Sequence, residues 1–274
     1  MKGSGFLLIV ALLFADGVAV QAQPSSLERR IGFSPQMGTN LPLDAELQNH
    51  LGERVRLGEY FRERPVIVVP VYFRCPMLCG LEMNGLVRCL RVLPLMVGRD
   101  FDIVTFSIDP REGPSLAAQK RKTYLAELGQ DGATTGWHFL TGKQPEIERL
   151  TNAIGFRSEF DPRTRQYAHA AGLVICTPKG RLARYFYGVE FAPRDVKLAL
   201  IEASQGQIGT LGDHIQLYCY MYDPTTGKYG IAILTVVRIA GVITVAIIAI
   251  AVARMLFSER RKVPLKRKVW SPNG

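Results

Sequence analysis

The stretch that decides the fold is VIVVPVYFRCPMLC, residues 66–79. Its first part, Val66–Phe73, is rich in β-branched residues and apolar on both faces, which is typical of a strand inside a covered sheet. Pro70 has no N–H to donate, so we expect a bulge or kink there. Apolar residues then recur at helical spacing over Leu78–Leu93, which predicts a helix. The two cysteines of the stretch therefore lie where a buried strand meets a helix.

Strands and helices alternate on both sides of this junction. Before it, Leu43–Tyr60 predicts a short hairpin and a turn of helix. After it, the last two predicted strands flank the turn Pro178-Lys179-Gly180 and so form a hairpin. This order of elements indicates an α/β fold of the thioredoxin kind. The patterns predict strands over Phe101–Ile108, Trp137–Leu140, Gly172–Cys176 and Leu182–Tyr187, and helices over 114–128, 145–154 and 193–203.

The globular part of the chain is predicted to span residues 41–205 as one domain. Residues 1–22 have the layout of a secretory signal peptide, with a cleavage site before Gln23; an uncleaved N-terminal anchor is the alternative. Residues 23–40 form a connecting lead, which we expect to lack regular structure. Residues 206–230 are a juxtamembrane segment.

The C-terminal part is predicted to anchor the protein. Residues 231–253 are apolar apart from Arg238 and long enough to cross about 30 Å of hydrocarbon, which predicts a transmembrane helix. A buried core helix is the alternative, but it would not explain the basic tail at 254–274. Basic residues that flank a membrane span stay on the cytoplasmic side. We therefore expect a single inner-membrane span, a cytoplasmic tail and a periplasmic domain.

The net charge does not indicate nucleic-acid binding. The chain carries +10, and the tail at 254–274 contributes +6 of this through seven basic residues and one acidic residue. The remaining +4 is spread over the other residues, and the basic excess lies beside the predicted membrane span rather than on the domain. We therefore set nucleic acid aside as a partner.

Cys75 and Cys79 are the strongest candidates for chemistry. Spaced four apart at a helix start, their thiols lie on one side of a helical turn, where they can form a disulfide or share a metal ion. The helix N-terminus favours a thiolate at Cys75, and thiolates select soft ions such as Cu(I). A buried or inert pair is the alternative, and spacing alone does not separate metal binding from redox chemistry. Five cysteines in an exported chain argue against a disulfide scaffold.

Three blocks of the domain follow one another along the chain: Tyr72-Phe73-Arg74-Cys75-Pro76-Met77-Leu78-Cys79, then Phe106-Ser107-Ile108-Asp109-Pro110, then His169 before Leu173-Val174-Ile175. These blocks, in this order, resemble the Sco/SenC family. The family commonly has proline after the second cysteine, where this chain has Gly80. The resemblance implies a thioredoxin-like copper protein that matures the dinuclear copper centre of cytochrome c oxidase.

By the same resemblance, Cys75, Cys79 and His169 are the ligands of one copper ion, Cu(I) or Cu(II). On residue type alone, His169 is more often a surface or hydrogen-bonded core residue. The expected function is copper delivery to a subunit of cytochrome c oxidase, with other periplasmic copper chaperones or thiol–disulfide proteins as further partners. The alternative is an enzyme, a thiol–disulfide oxidoreductase in which Cys75 attacks and Cys79 resolves.

The remaining candidate residues have simpler interpretations. His138 alternates with apolar neighbours and is predicted to face solvent or a partner from a strand, while Cys89 and Cys176 are predicted to be buried thiols. Asp109-Pro110 indicates a turn that ends a strand. A second group of soft ligands near the predicted membrane surface is formed by His214, Cys219 and Met221, for which docking or anchoring is favoured over a second metal site.

Overall fold

The structure is a computed structural model that describes residues 31–75, 78–208, 222–223, 228–229 and 231–261; beyond residue 208 it describes side chains only at 239–255. Two compact units divide between Gly209 and Thr210. The strands of the first unit are β1 (Gly32–Phe33), β2 (Glu46–Gln48), β3 (Arg54–Arg56), β4 (Val66–Val71), β5 (Asp102–Ser107), β6 (Trp137–Leu140), β7 (Phe156–Asp161), β8 (Gln166–His169), β9 (Gly172–Cys176) and β10 (Leu182–Tyr187). Its helices are α1 (Leu78–Val92), α2 (Pro114–Leu128), α3 (Ala133–Gly136), α4 (Gln144–Ala153) and α5 (Pro193–Ser204).

The main sheet has five strands in the order β10-β9-β4-β5-β6. Its centre is parallel, β4 with β5 and β5 with β6, and β9 and β10 add an antiparallel edge. Every residue of β4 and β5 is buried, as expected for central strands covered by helices. The predicted α/β fold of the thioredoxin kind is confirmed, and the strand-to-helix junction lies at the carboxyl end of a central strand.

The predicted bulge at Pro70 is wrong. The β4–β5 pairing runs without a shift from Val66 opposite Asp102 to Val71 opposite Ser107. On the other side, β9 pairs only with residues 66–68 of β4, so that pairing ends before the proline is reached. Pro70 therefore lies in the part of β4 that has a paired neighbour on one side only, where a missing N–H need not break a ladder.

A second sheet carries the histidine side of the candidate site, and sequence patterns did not predict it. It has the order β1-β7-β8, with β7 and β8 forming an antiparallel hairpin. The two outer strands of this sheet, β1 and β8, are short. In the hairpin β7–β8 only Phe156 and His169 are buried, so apolar and polar residues alternate weakly along its strands. The strand at Gly32–Phe33 also corrects the expectation that residues 23–40 lack regular structure.

Helix α1 begins at Leu78, three residues after the first cysteine, and buries one apolar face. Leu86 and Leu90 on this face are fully buried, while Arg88 and Arg91 face solvent, as the 3.6-residue period predicts. Gly85 is required at the same face because a Cβ there would lie 1.8 Å from the carbonyl oxygen of Val189. Close helix packing therefore holds the turn that carries both cysteines.

The second unit contains a two-stranded pairing, β11 (Tyr222–Asp223) with β12 (Lys228–Tyr229), and helix α6 (Ile231–Arg261). Within the residues that the structure describes, no helix is both long and apolar enough to cross a membrane. The helix predicted over 231–253 forms. The described side chains of α6 cover residues 239–255 and are mostly exposed and apolar, over a rise of about 26 Å.

Candidate metal centre

The two cysteines meet at the junction between β4 and α1. Cys75 closes a turn by donating its N–H to the Tyr72 carbonyl at 3.0 Å, and its Sγ lies 3.5 Å from the backbone nitrogen of Cys79. Tyr72 donates its own N–H to Cys79 Sγ at 3.2 Å. Cys79 is buried, Cys75 is partly exposed, and neither cysteine forms a disulfide. One thiol is thus held inside while the other faces outward.

A buried carboxylate holds the chain that leads into this turn. Glu112, which follows β5, accepts the backbone N–H of Phe73 at 2.9 Å and that of Arg74 at 2.7 Å. Ser107 donates its hydroxyl to the same carboxylate at 2.6 Å. Burial raises the pKa of Glu112, and these three hydrogen bonds oppose the rise. Glu112 therefore fixes the backbone just before Cys75 from the neighbouring strand.

His169 reaches the cysteines from the second sheet. It ends β8 opposite Ser158 of β7, and its side chain is buried. Nδ1 lies 2.8 Å from the Ala170 carbonyl oxygen, which can only accept, so Nδ1 carries the proton and donates it. In the neutral ring Nε2 then carries no hydrogen, and it lies 3.2 Å from Cys79 Sγ. This is the tautomer that a metal-ligating histidine needs.

The three side chains predicted from the sequence come together. One donor atom each from Cys75, Cys79 and His169 lies within 4.8 Å of the others. Within the described ranges, this is the one group of at least three His, Cys, Asp or Glu side chains close enough to hold a metal ion. Two thiolates and an imidazole are soft to intermediate donors, a set that suits copper and zinc rather than magnesium or calcium.

An acid lies directly behind the cysteine pair. Glu82, one turn after Cys79 on α1, is fully buried and accepts the Gly172 N–H at 2.9 Å with Oε1. Its Oε2 has no hydrogen-bond partner among the described residues. Burial raises the pKa of Glu82 well above its ordinary value. The hydrogen bond with Cys75, burial and the nearby Glu82 also raise the pKa of the Cys79 thiol. The sequence predicted a thiolate at Cys75 and made no such prediction for Cys79. Because its pKa is raised, the Cys79 thiol keeps its proton when no metal is bound.

A cation connects the β5 end to the histidine hairpin. Arg111 forms a paired contact with the buried Asp109, with Nε and a terminal nitrogen each 2.8 Å from a carboxylate oxygen. Its guanidinium carbon also lies 4.4 Å from the ring centroid of Phe160 on β7, and 5.7 Å from that of Tyr167 on β8. Asp109 was interpreted as a turn residue only. The structure gives it a second role, since it orients the arginine that packs on the hairpin.

The other sequence candidates lie outside this group. His138 packs on Tyr60 with ring centroids 4.3 Å apart, rather than facing solvent, and burial lowers the pKa of His138 to about 4. Cys89 and Cys176 are buried thiols, as predicted. The group His214, Cys219 and Met221 lies outside the described residues.

Glu82, Glu112 and Arg111 are functional neighbours that the sequence analysis missed. Glu82 carried a signal, because an acid stands on the apolar face of α1, three residues after Cys79 and four before Leu86. An acid at such a position needs a buried partner. Glu112 and Arg111 follow Asp109-Pro110 as ordinary charged residues, and their contacts join distant segments, so no local pattern marks them.

The fold and the donor set define a class: thioredoxin-like α/β proteins with two cysteines at a strand-to-helix junction and a histidine converging on them. The sequence profile of one family in this class, SCO1/SenC, matches residues 38–204. The chain belongs to the SCO1/SenC family. No curated protein sequence matches it significantly.

Solved structures with the same fold include a candidate electron transfer protein from Aquifex aeolicus, which is 26% identical with a TM-score of 0.56 over 65% of this chain and 99% of that chain. A SCO1/SenC family lipoprotein from Bacillus anthracis is 15% identical, with a TM-score of 0.50 over 63% of this chain and 99% of the lipoprotein chain. Arabidopsis thaliana ScoI, solved with copper bound, is 16% identical, with a TM-score of 0.49 over 62% of this chain and 99% of the ScoI chain.

Proposed function

We propose that this protein binds one copper ion through Cys75, Cys79 and His169 and delivers it to the dinuclear copper centre of cytochrome c oxidase. The observation that carries the proposal is the convergence of the three donor atoms within 4.8 Å of one another. Membership of the SCO1/SenC family supports copper as the metal and the oxidase as the destination. Copper is cargo here, bound and then released.

The donor set explains how the ion is held. Two cysteine sulfurs and the deprotonated Nε2 of His169 give a three-coordinate Cu(I) site, and the same ligands with an added donor hold Cu(II). Because the pKa of Cys79 is raised in the metal-free protein, copper binding displaces a proton from this thiol and weakens as the pH falls. Cys75 is partly exposed, so a ligand from an acceptor reaches the ion from this side.

The histidine separates a copper site from a generic dithiol. Full-length protein purified under reducing conditions should bind one equivalent of Cu(I), and Cu(II) bound to it should show both thiolate and imidazole coordination. His169→Ala should lose the nitrogen signal. Its copper affinity should fall by more than the roughly 10- to 100-fold that losing an outer-shell partner costs.

Matched variants make this test decisive. His138→Ala and His214→Ala should keep the imidazole signal, since His138 packs on Tyr60 away from the cysteines. Imidazole coordination that survives in His169→Ala and disappears in one of the other two would show that the ligand assignment is wrong. Delivery is measured separately, as copper gained by the isolated copper-binding domain of the oxidase subunit when it is mixed with the loaded protein.

A second candidate function rests on the unequal exposure of the two thiols. Cys75 is partly exposed and Cys79 is buried beside it, which is the arrangement of an attacking and a resolving cysteine. In this function the protein reduces the acceptor's disulfide and ends with a Cys75–Cys79 disulfide. A disulfide engages both sulfurs, so the oxidised protein should take up no Cu(I). Uptake of one equivalent by protein oxidised at both positions would show that the assigned copper site is wrong.

The proposed location is the periplasm, with the domain tethered to the inner membrane by residues 231–253 and the basic tail at 254–274 in the cytoplasm. The apolar sequence of that segment and the basic residues beyond it support this proposal. A reporter enzyme that is active only in the periplasm, fused after Lys268, should be inactive. Activity of that fusion would contradict the proposed orientation.

A further inference from the structure

A cleft opens beside Cys75, on the side of the turn that faces α2. It has a volume of about 350 Å³, and one wall is formed by the chain at Phe73, Arg74 and Cys75. The opposite wall is a face of α2 that includes Lys120 and Tyr124. A much smaller cavity shares Cys75, Lys120 and Tyr124 with the cleft and reaches Cys79. We call the larger space the Cys75 cleft.

The Cys75 cleft has a positive wall. Arg74 and Lys120 line it from opposite sides, and within the described ranges neither is paired with a carboxylate. No acid among the described residues lines the cleft, and Glu112, which accepts the Arg74 N–H, is buried and also accepts the Ser107 hydroxyl. Burial raises the pKa of the Tyr124 hydroxyl to about 12, so this group adds no negative charge at neutral pH. The two charged side chains that line the cleft beside the outer thiol are therefore both cations.

We propose that the Cys75 cleft binds an acidic segment of the partner polypeptide and thereby places the partner's cysteine against Cys75. This proposal rests on the proposed function, whose partner it describes. An arginine and a lysine on facing walls suit two carboxylates, since guanidinium binds a carboxylate through two parallel hydrogen bonds and ammonium as a point charge. The volume fits a few side chains, and the apolar faces of Phe73 and Tyr124 can contact the segment between its charges.

Thiol–disulfide exchange reports directly on approach to Cys75. The probes are two short peptides, one with glutamates and one with lysines around a single cysteine, each as its disulfide with 2-thiopyridine. The Cys75 thiolate attacks the peptide sulfur, a Cys75–peptide disulfide forms, and pyridine-2-thione leaves. Cys79, losing its proton to solvent, then attacks Cys75 sulfur and releases the peptide thiol. The absorbance of the released thione gives the rate for the reduced full-length protein.

The acidic peptide should react about 10- to 100-fold faster than the basic one at low ionic strength, and the difference should shrink as salt is added. Lys120→Glu should reduce this preference, and Arg74→Glu with Lys120→Glu should reverse it. The matched control is Lys122→Glu with Lys179→Glu, which changes the net charge equally at exposed positions that do not line the cleft. The control should keep most of the wild-type preference.

Equal rates for the two peptides, or an equal loss of preference in the control, would overturn the proposal. The 2-thiopyridyl disulfides of 3-mercaptopropionate and cysteamine carry one charge each. If they show the same preference as the peptides, the cleft recognises a single small anion and not a polypeptide segment. Copper titration of the wild type is independent of these rates, because exchange requires only the thiols. Failure to bind copper would therefore contradict the proposed function. It would not decide whether the cleft prefers the acidic peptide to the basic one.

Discussion

The two sides of the metal centre differ in how they are built. The cysteines stand at the end of β4, a strand that is buried along its whole length, and the chain into their turn is held by Glu112. His169 stands at the end of β8 in a hairpin whose side chains are mostly part-exposed. Cys79 and His169 are 90 residues apart in the chain. The thiol pair is therefore a local feature of the sheet, while the third ligand depends on docking of a peripheral sheet.

Two contacts join the cysteine side to the chain before and after His169. Glu82, on the cysteine helix, accepts the N–H of Gly172, which begins the strand after His169. Arg111, held by Asp109 at the end of β5, lies over Phe160 of the hairpin. If the thiol pair is local and the histidine depends on distant contacts, substitutions on the cysteine side should abolish both thiol chemistry and copper binding. Damage to the docking contacts should affect mainly the histidine.

The largest effect is expected from Cys79→Ala. This variant removes the sulfur that lies 3.2 Å from His169 Nε2, so the protein should bind no copper at concentrations that saturate the wild type and should form no intramolecular disulfide. The control is Cys89→Ala on the same helix, a thiol equally buried but away from the site. Copper stoichiometry and thiol counts check both variants. Loss of binding in Cys89→Ala as well would show that the helix, rather than the thiol, is responsible.

Glu112→Ala should have the next largest effect. It leaves two backbone N–H groups without an acceptor, at about 1–3 kcal/mol for each group that stays buried, so the free energy of unfolding should fall by about 3 kcal/mol. The Ser107 hydroxyl loses its bond at 2.6 Å and keeps only the Asp109 carbonyl at 3.3 Å. Glu112→Gln keeps one acceptor oxygen and should lose less. Urea unfolding measures both.

The control for Glu112 is Glu190→Ala, which breaks an exposed ion pair with Arg88 and should cost less than about 1 kcal/mol. Copper affinity should fall in Glu112→Ala because the turn before Cys75 is released. An affinity equal to that of the wild type, together with the loss of stability, would show that Glu112 stabilises the domain without positioning the thiol.

The same difference explains what the sequence could predict. The run Val66–Phe73, the helical period after Cys75 and the spacing of the cysteines are local, and they predicted the central strand, α1 and the thiol pair. His169 was identified only by resemblance, because apolar alternation is weak along the hairpin β7–β8 and the strand that pairs with β7, β1, lies over 120 residues away. The bulge assigned to Pro70 was wrong, because the strand's pairing on one side stops at residue 68.

Glu82→Gln should change how stability depends on pH. The pKa of Glu82 is raised in the folded protein, so above its ordinary value of 4.5 the unfolded chain releases a proton that the folded chain keeps. This acid therefore makes the wild type less stable as the pH rises from 4.5 toward the folded pKa, by about 1 kcal/mol for each pH unit. Glutamine keeps an acceptor for the Gly172 N–H and does not titrate.

Metal-free, reduced Glu82→Gln should therefore gain stability over the wild type as the pH rises, with no further change below about pH 4.5, the ordinary glutamate value. Urea unfolding at a series of pH values measures the difference. Parallel curves for the two proteins would show that Glu82 is ionised in the folded state. In that case the contact with Gly172 would involve a carboxylate, and the docking of the two sides would not depend on a buried neutral acid.

The smallest effect is expected from Arg111→Ala, and it tests the docking of the hairpin most directly. The variant removes the cation over Phe160 and leaves the buried Asp109 unpaired, but Arg111 is 45% exposed, so the loss of unfolding free energy should be only about 1 kcal/mol. Arg149→Ala is the control, because it breaks an equally well-aligned pair with Asp44 where both side chains are exposed.

Amide hydrogen exchange separates the two sides of the centre in Arg111→Ala. Exchange should speed up for residues 156–169 of the hairpin and stay unchanged in α1, because the arginine contacts the hairpin rings and not the cysteine helix. Arg111→Lys keeps the positive charge but loses the planar paired contact. Its exchange rates in the hairpin should lie between those of the alanine variant and the wild type. Faster exchange of equal size in α1 would mean that the two sides open as one unit, and the distinction between a local thiol pair and a docked histidine would then be lost.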